Sequence, residues 1–458
     1  MKLSQELKSA VISAGQEHLL EYDSPLLEEQ LKAIDWQALP GLAAEYVLRK
    51  PRVTIPDDVK PAPYFPLHPR TEGEKQHQQA ARKRGEELLR QGKVACLTVA
   101  GGQGTRLGFD GPKGTYPIGP LSGRTLFEYF AGSIARAGEK FGHQFRWYVM
   151  TSALNREATE KFFREHDYLG LAPDQVFFFT QGTMPAFGYD GKLLMSSPES
   201  LALSPDGHGG TLLALRKSGA LEQMKKDGVE YISYFQVDNP LAPVVNPLFI
   251  GMHDLEGSEM SAIMLAKTNA FEKLGNFCLC DGRLEIIEYS DLPAELAESR
   301  NPDGSLRFIS GSPAIHVLSR AFVEKLTASG RLNLPWHRAD KKIPCIGNPK
   351  PESPNGVKLE SFIFDALALA QKTLVLEGDR AEMFAPTKNA TGVDSAESCR
   401  EMLIARDLRR LNRAGVTADA GCKVELSPRS VFDDEDAAEL VKRLDLKHLG
   451  PDTRAVLE

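Results

Sequence analysis

The sequence predicts an α/β protein built on a mostly parallel, Rossmann-like sheet, and three observations carry that expectation. Continuous apolar runs recur at 93–100 (KVACLTVA), 145–152 (FRWYVMTS), 175–181 (QVFFFTQ), 231–239 (YISYFQVDN) and 261–267 (SAIMLAK). Helix-period segments lie between them, at 126–140, 156–165 and 212–226. The first run ends in glycines, Ala100-Gly101-Gly102-Gln103-Gly104. Strands apolar on both faces and alternating with helices indicate a sheet covered on both sides.

Residues 1 to about 48 carry apolar side chains at helical spacing: Leu3, Leu7, Val11 and Ile12, then Leu26, Leu27, Leu31 and Ile34. Asp23-Ser24-Pro25 interrupts this pattern and can start a second helix, with Pro25 in its first turn. The proline-dense stretch 51–69 cannot form regular helix and is expected to run extended. A charged helix over about 72–91 then leads into the first strand. From about 277 to 318 the strands are shorter and closer together (FCLC, LEIIEY, AIHVL), which predicts an added, partly antiparallel sheet. A helix-rich region and a smaller C-terminal unit follow. The expected organisation is a helical N-terminal arm over 1–90, a central domain over 91–385 and a small C-terminal domain over 386–458.

The chain has 458 residues, 42% of them hydrophobic, enough for a core that needs neither disulfides nor metals. Lys and Arg number 55 against 62 Asp and Glu, a formal charge of −7 that argues against a nucleic-acid or anionic-membrane partner. A local basic pocket for a small anion remains compatible with it. Of the six cysteines only Cys278 and Cys280 are close, and in a strand both point to one face. They read as buried apolar positions rather than a zinc site, because no second Cys/His pair has ligand spacing. The N-terminus has no unbroken apolar segment and no run approaches membrane-spanning length, so a cytoplasmic location is expected.

The most informative text is the loop after the first strand, Ala100-Gly101-Gly102-Gln103-Gly104-Thr105-Arg106-Leu107-Gly108, followed by Gly111-Pro112-Lys113-Gly114. Glycines there let backbone N–H groups approach an anion, at the sheet edge where α/β proteins bind ligands. The dinucleotide fingerprint G-x-G-x-x-G fails, since Leu107 stands where its third glycine belongs. The nucleotide-hydrolase G-K-[ST] also fails, because Pro112-Lys113-Gly114 replaces it. What remains is a glycine cradle beside two cations, Arg106 and Lys113, suited to a triphosphate and its departing pyrophosphate.

AGGQGTRLG followed by PKG resembles the signature of the eukaryotic-type UDP-sugar pyrophosphorylases, with greatest similarity to their UDP-N-acetylhexosamine branch. TQGTMPAF (180–187), DGKLLM (190–195), SPDGHGG (204–210), QVDNPL (236–241), IIEYSD (286–291), PNGVKLESFIFD (354–365) and APTKNA (385–390) extend the likeness in the same order. The resemblance implies a nucleotide-diphospho-sugar transferase (GT-A-like) mixed sheet. It further implies that a sugar-1-phosphate oxygen attacks the α-phosphorus of UTP, with Mg²⁺ as cofactor and no covalent enzyme intermediate. Consistent with this, the sequence has no G-x-S-x-G elbow.

Residue by residue, the resemblance assigns Ala100, Gly101 and Gly102 to the nucleotide, and Arg106 and Lys113 to the triphosphate. Gln181 matches a uracil-reading glutamine, whose amide can both donate and accept. Gly207 and His208 match a second nucleotide loop, although the N-acetylhexosamine branch carries asparagine at the position of His208 and glucose-type relatives carry Gly-His-Gly. Asp238, closing an apolar strand, matches a Mg²⁺-associated aspartate that also touches the nucleotide. Lys388 matches a lysine that stabilises the transferring phosphate, with Lys358 a weaker candidate in the same field or at the sugar. Gly275, Glu288, Ser312, Phe362 and Phe364 match the hexose pocket, with Ser312 replacing an asparagine that touches the sugar. Phe362 and Phe364, at i and i+2, would not share a face if helical, so core packing is the competing reading for them.

The resulting expectation is a uridylyltransferase acting on UTP and a hexose-1-phosphate, with N-acetylglucosamine-1-phosphate the leading substrate. Glucose-1-phosphate, or broad specificity, is the alternative. A monomer or weak oligomer is expected. A catalytically silent nucleotide-binding protein is disfavoured by the presence of Arg106, Lys113, Asp238 and Lys388, and a nicotinamide oxidoreductase by the failed glycine spacing.

Overall fold

The computed structural model describes residues 3–50 and 55–458, so the beginning of the proline-dense stretch, 51–54, lies outside the described residues. The rest of that stretch is extended and contributes a two-residue strand, β1 (Lys60–Pro61). The main sheet continues with β2 (Val94–Val99), β3 (Trp147–Thr151), β4 (Val176–Thr180), β5 (Tyr231–Gln236), β6 (Met260–Ala266), β7 (Gly275–Cys280), β8 (Arg283–Ile287), β9 (Ser310–Ser312), β10 (His316–Ser319) and β11 (Thr373–Glu377). Its order is β1-β7-β9-β6-β10-β5-β2-β3-β4, with β8 paired to β7 and β11 to β6.

All five long apolar runs are strands of this sheet, and β5, β2, β3 and β4 are parallel neighbours. The short strands after 275 pair antiparallel, as their spacing predicted, and they extend the main sheet. β10 runs antiparallel between β5 and β6, pairing with both. β9 joins β7 to β6. Edges of β5 and β6 that would otherwise leave backbone groups unpaired are thereby closed. Cys278 and Cys280 are buried with Ile287, Leu292 and Phe308, as their spacing predicted.

Helices cover the sheet where the periodicity placed them. Glu72–Arg90 opens with a capping box from Thr71 and Glu74, and Leu126–Phe141 with one from Thr125 and Glu128. The single helix expected over 212–226 is two, Thr211–Lys217 and Ala220–Lys226, because Gly219 takes φ +77° between them. Among the described residues no helix is long and apolar enough to cross a membrane.

The chain forms two compact units that do not follow linear boundaries at 90 and 385. The first joins 1–54 to 181–211 and 332–365, and the second holds the remainder, including 386–458. The reason is burial. The N-terminal helices are short and amphipathic, and their stripe of Leu19, Leu27, Leu31 and Val47 is completed by Phe187, Leu193, Val357 and Leu359 from later in the chain. The C-terminal segment keeps a core of its own around Leu411, Val424, Leu426 and Leu440.

Candidate nucleotide and sugar site

In the second unit the parallel register of β2 and β5 pairs Val99 with Gln236, so Gly101 and Asp238 leave the sheet at the same edge. The glycine loop then folds back on itself. Gly104 N–H donates to the Gly111 carbonyl at 2.9 Å and Lys113 N–H to the Gly102 carbonyl at 3.1 Å. That closure returns Lys113 to the strand end, where its Nζ lies 3.2 Å from Asp238 Oδ2. A Cβ at Gly102 would meet nothing within 4 Å, so packing does not demand glycine there. An approaching ligand would.

Asp238 is bound to the segment carrying Lys388. Its carbonyl accepts from Thr387 N–H at 2.8 Å, and the Asn239 side chain donates to the Met383 carbonyl and accepts from Ala385 N–H. Burial pushes the Asp238 pKa up, but Lys113 and Lys388 outweigh it and hold the carboxyl below the usual carboxylate range. Lys388 Nζ is 4.0 Å from Asp394, whose own pKa is raised, chiefly by burial. The structure thus unites Gly102, Lys113, Asp238 and Lys388. Arg106 sits exposed on the same loop and makes no ion pair among the described residues.

The fit of Mg²⁺ can be judged from this donor set. No group of three or more His, Cys, Asp and Glu side chains able to hold a metal occurs among the described residues. Asp238 supplies a hard, ionised oxygen, and the Asp394 carboxyl stands by the same Lys388. That suits Mg²⁺, which takes one or two carboxylates and completes its shell with phosphate and water oxygens.

Three candidate sugar residues also converge in the second unit. Gly275 of β7 is the Cα partner of Ser312 of β9; a Cβ at Gly275 would lie 2.5 Å from Ile286 Cγ2 and 3.4 Å from Glu288 Oε1, so packing already requires glycine there. Beneath them is Lys267, unsignalled by the sequence. It is buried, and its Nζ donates to the Asn276 side chain at 2.7 Å and the Ala270 carbonyl at 2.9 Å.

The first unit holds Gln181, Gly207, His208, Lys358, Phe362 and Phe364. Gln181 is buried immediately after β4. Gly207 takes φ +86°, and a Cβ there would sit 2.3 Å from the Ser361 carbonyl, so this glycine is required by packing against the strand Gly356–Ser361. His208 Nδ1 accepts from Ile363 N–H at 3.2 Å, and burial followed by the nearby His337 pushes its pKa down to about 4. The ring is neutral at pH 7. His208 and His337 both stack on Phe362, at centroid distances of 5.1 and 4.1 Å.

Phe362 and Phe364 are not on one helix: Phe362 follows the strand and precedes the helical turn Ile363–Leu369, which lets the two rings meet at 5.2 Å. His337, bonded to Asp365 at 2.8 Å, is a second residue the sequence did not single out. Lys358 lies half-buried on the strand, opposite Ala339.

The chain is similar in sequence and fold to known proteins. A family model described as UTP–glucose-1-phosphate uridylyltransferase matches residues 49–420. The chain is 37% identical to human UDP-N-acetylhexosamine pyrophosphorylase-like protein 1, covering 91% of this chain and 87% of that one. It is 36% identical to the UDP-N-acetylglucosamine pyrophosphorylase of Saccharomyces cerevisiae, over 78% of this chain and 77% of the yeast protein. Among solved structures, the uridine diphosphate N-acetylglucosamine pyrophosphorylase of Trypanosoma brucei in complex with an inhibitor superposes with a TM-score of 0.83 at 25% identity, covering 99% of both chains.

Proposed function

Given that the chain belongs to the UTP–glucose-1-phosphate uridylyltransferase family, the family of UDP-sugar pyrophosphorylases, we propose that it joins UTP to N-acetylglucosamine-1-phosphate, releasing pyrophosphate. The observation that carries this is the meeting of Lys113, Asp238 and Lys388 beside an open glycine loop.

A sugar phosphate oxygen attacks the α-phosphorus in line, a new P–O bond forms, and the bond to the departing pyrophosphate breaks. No side-chain nucleophile is needed, so the protein acts by positioning and charge neutralisation. The loop N–H groups, Arg106 and Lys113 hold the triphosphate. Lys388 opposes the charge that develops on the α-phosphate. Mg²⁺ held by Asp238 would supply further neutralisation of phosphate oxygens. Gln181 reads the uracil O4 and N3–H edge. Glu288 accepts from hexose hydroxyls, with Gly275 and Ser312 beside it.

The test is a panel of sugar-1-phosphates and nucleotides with Mg²⁺, scored by pyrophosphate release. UTP is expected to exceed ATP, CTP and GTP, since an unmatched hydrogen bond in a desolvated base pocket costs several kcal/mol. Equal turnover with ATP or CTP would remove the uracil assignment.

Sugar choice gives a second measurement. Ser312 is shorter than asparagine and its Oγ accepts from Ala314 N–H at 3.4 Å, so its reach to an acetamido group is limited. Losing one such partner typically removes about 1–3 kcal/mol of selectivity. Discrimination between the N-acetylglucosamine and glucose substrates should therefore be weak, and Ser312→Asn should shift the kcat/KM ratio toward the acetylated one. An unchanged ratio would show that Ser312 does not face the sugar. Strict use of glucose-1-phosphate by the unaltered protein would establish the glucose reading instead.

A further inference from the structure

Three successive carbonyls of the glycine loop are captured by two side chains that neither motif nor resemblance singled out. Asn155 Nδ2 donates to the Ala100 carbonyl at 2.8 Å and to the Gly102 carbonyl at 3.2 Å. Ser152 Oγ donates to the Gly101 carbonyl between them at 2.8 Å. Asn155 Oδ1 accepts from Ser152 N–H at 2.8 Å, which joins the two into one brace. Both residues are 1% exposed.

Asn155 stands at the N-cap of the helix Arg156–Glu165, where asparagine normally accepts from a free helix N–H. Its side chain makes no such cap bond. The amide is committed to the loop instead. Only an amide can make this set of bonds, because its NH₂ donates to two carbonyls while its oxygen accepts the Ser152 N–H.

The consequence follows from peptide geometry. In a planar trans peptide the N–H of the next residue points away from the carbonyl. Turning the carbonyls of Ala100, Gly101 and Gly102 toward the brace turns the N–H groups of Gly101, Gly102 and Gln103 the other way. None of these three donates a hydrogen bond among the described residues. Gly102 and Gln103 are exposed residues. Successive N–H groups presented together form an anion-binding concavity.

We propose that Asn155, together with Ser152, is a positioning residue that locks the glycine loop with its N–H groups facing the triphosphate. This rests on the reading that the loop binds UTP. Without the brace the peptides can rotate, and the ordering cost falls on nucleotide binding. The braced loop belongs to the nucleotide side of that reading, so its effect is expected on UTP and pyrophosphate rather than on the sugar-1-phosphate.

The variants to measure are Asn155→Asp, Asn155→Ala and Ser152→Ala. Asn155→Asp keeps the acceptor for Ser152 N–H and favours the helix N-terminus, yet it cannot donate to either carbonyl. Because Asn155→Asp also buries a negative charge against two carbonyl oxygens, Asn155→Ala, which adds none, separates loss of the donors from charge repulsion. Affinities for UTP and for inorganic pyrophosphate are read by calorimetry, alongside thermal stability and the KM for the sugar-1-phosphate.

Asn155→Asp and Asn155→Ala are expected to weaken UTP and pyrophosphate binding about ten- to hundredfold, and Ser152→Ala several-fold, with the sugar KM within about twofold of the parent. Unchanged UTP and pyrophosphate affinity in folded Asn155→Ala overturns the proposal. So does an equal loss of UTP and sugar affinity in step with stability, since that marks a general structural role. If the unaltered protein binds neither UTP nor pyrophosphate, the functional reading itself fails, and the brace proposal falls with it.

Discussion

Lys113→Ala and Arg106→Ala are each expected to lower kcat/KM by at least about a hundredfold, the scale for removing a preorganised charge contact. Their effects on stability should differ. Arg106 is exposed and makes no ion pair among the described residues, so its loss should move the unfolding free energy by less than about 0.5 kcal/mol. The Lys113 and Asp238 side chains are only 15% and 16% exposed and face each other at 3.2 Å. Removing the lysine leaves a mostly buried carboxylate without its nearest counter-charge, which should cost on the order of 1–3 kcal/mol. Steady-state kinetics and denaturant titration of both variants test this together. Near-normal kinetics in both would make the loop structural.

Asp238→Asn should abolish most Mg²⁺-dependent activity, because the amide keeps the shape but lacks the anionic charge that a hard cation needs. Full wild-type rate at high Mg²⁺ would exclude Asp238 as a ligand. The pH dependence carries its own sign. Lys113 and Lys388 hold the Asp238 pKa below its ordinary value despite burial. The ionised form is therefore complete above the unfolded carboxylate range, and the stability it contributes is lost only as pH falls through the lowered folded pKa. In Lys113→Ala, burial is opposed by less positive charge, so the acidic limb of the activity profile should move upward in pH.

Much of the proposed phosphate site was legible in the residues themselves. Gly101, Gly102, Arg106 and Lys113 stand in one loop after one strand, and a local pattern encodes a local structure. Asp238 could be placed at the same sheet edge because a parallel strand ends beside it. Asn155, Asn239 and Lys267 could not be found this way. Each acts by hydrogen bonds to backbone or side chains well separated in sequence or across a turn, and an isolated Asn or Lys carries no periodic signal. His337 is the same case, since its meaning lies in a ring and a carboxylate more than twenty residues away.

The sequence by itself determined the fold class, the identity of the long strands and helices, and the glycine loop with its two cations. Apolar runs, capping residues and glycine clusters act over a few residues, so their outcome is written locally. Tertiary structure alone decided that β10 inserts between β5 and β6, that 1–54 folds with 181–211 and 332–365, and which way the loop carbonyls turn. Those outcomes depend on which distant apolar stripes and unpaired backbone groups complete one another. That complementarity has no sequence period, because it is a property of surfaces that exist only once the elements have formed.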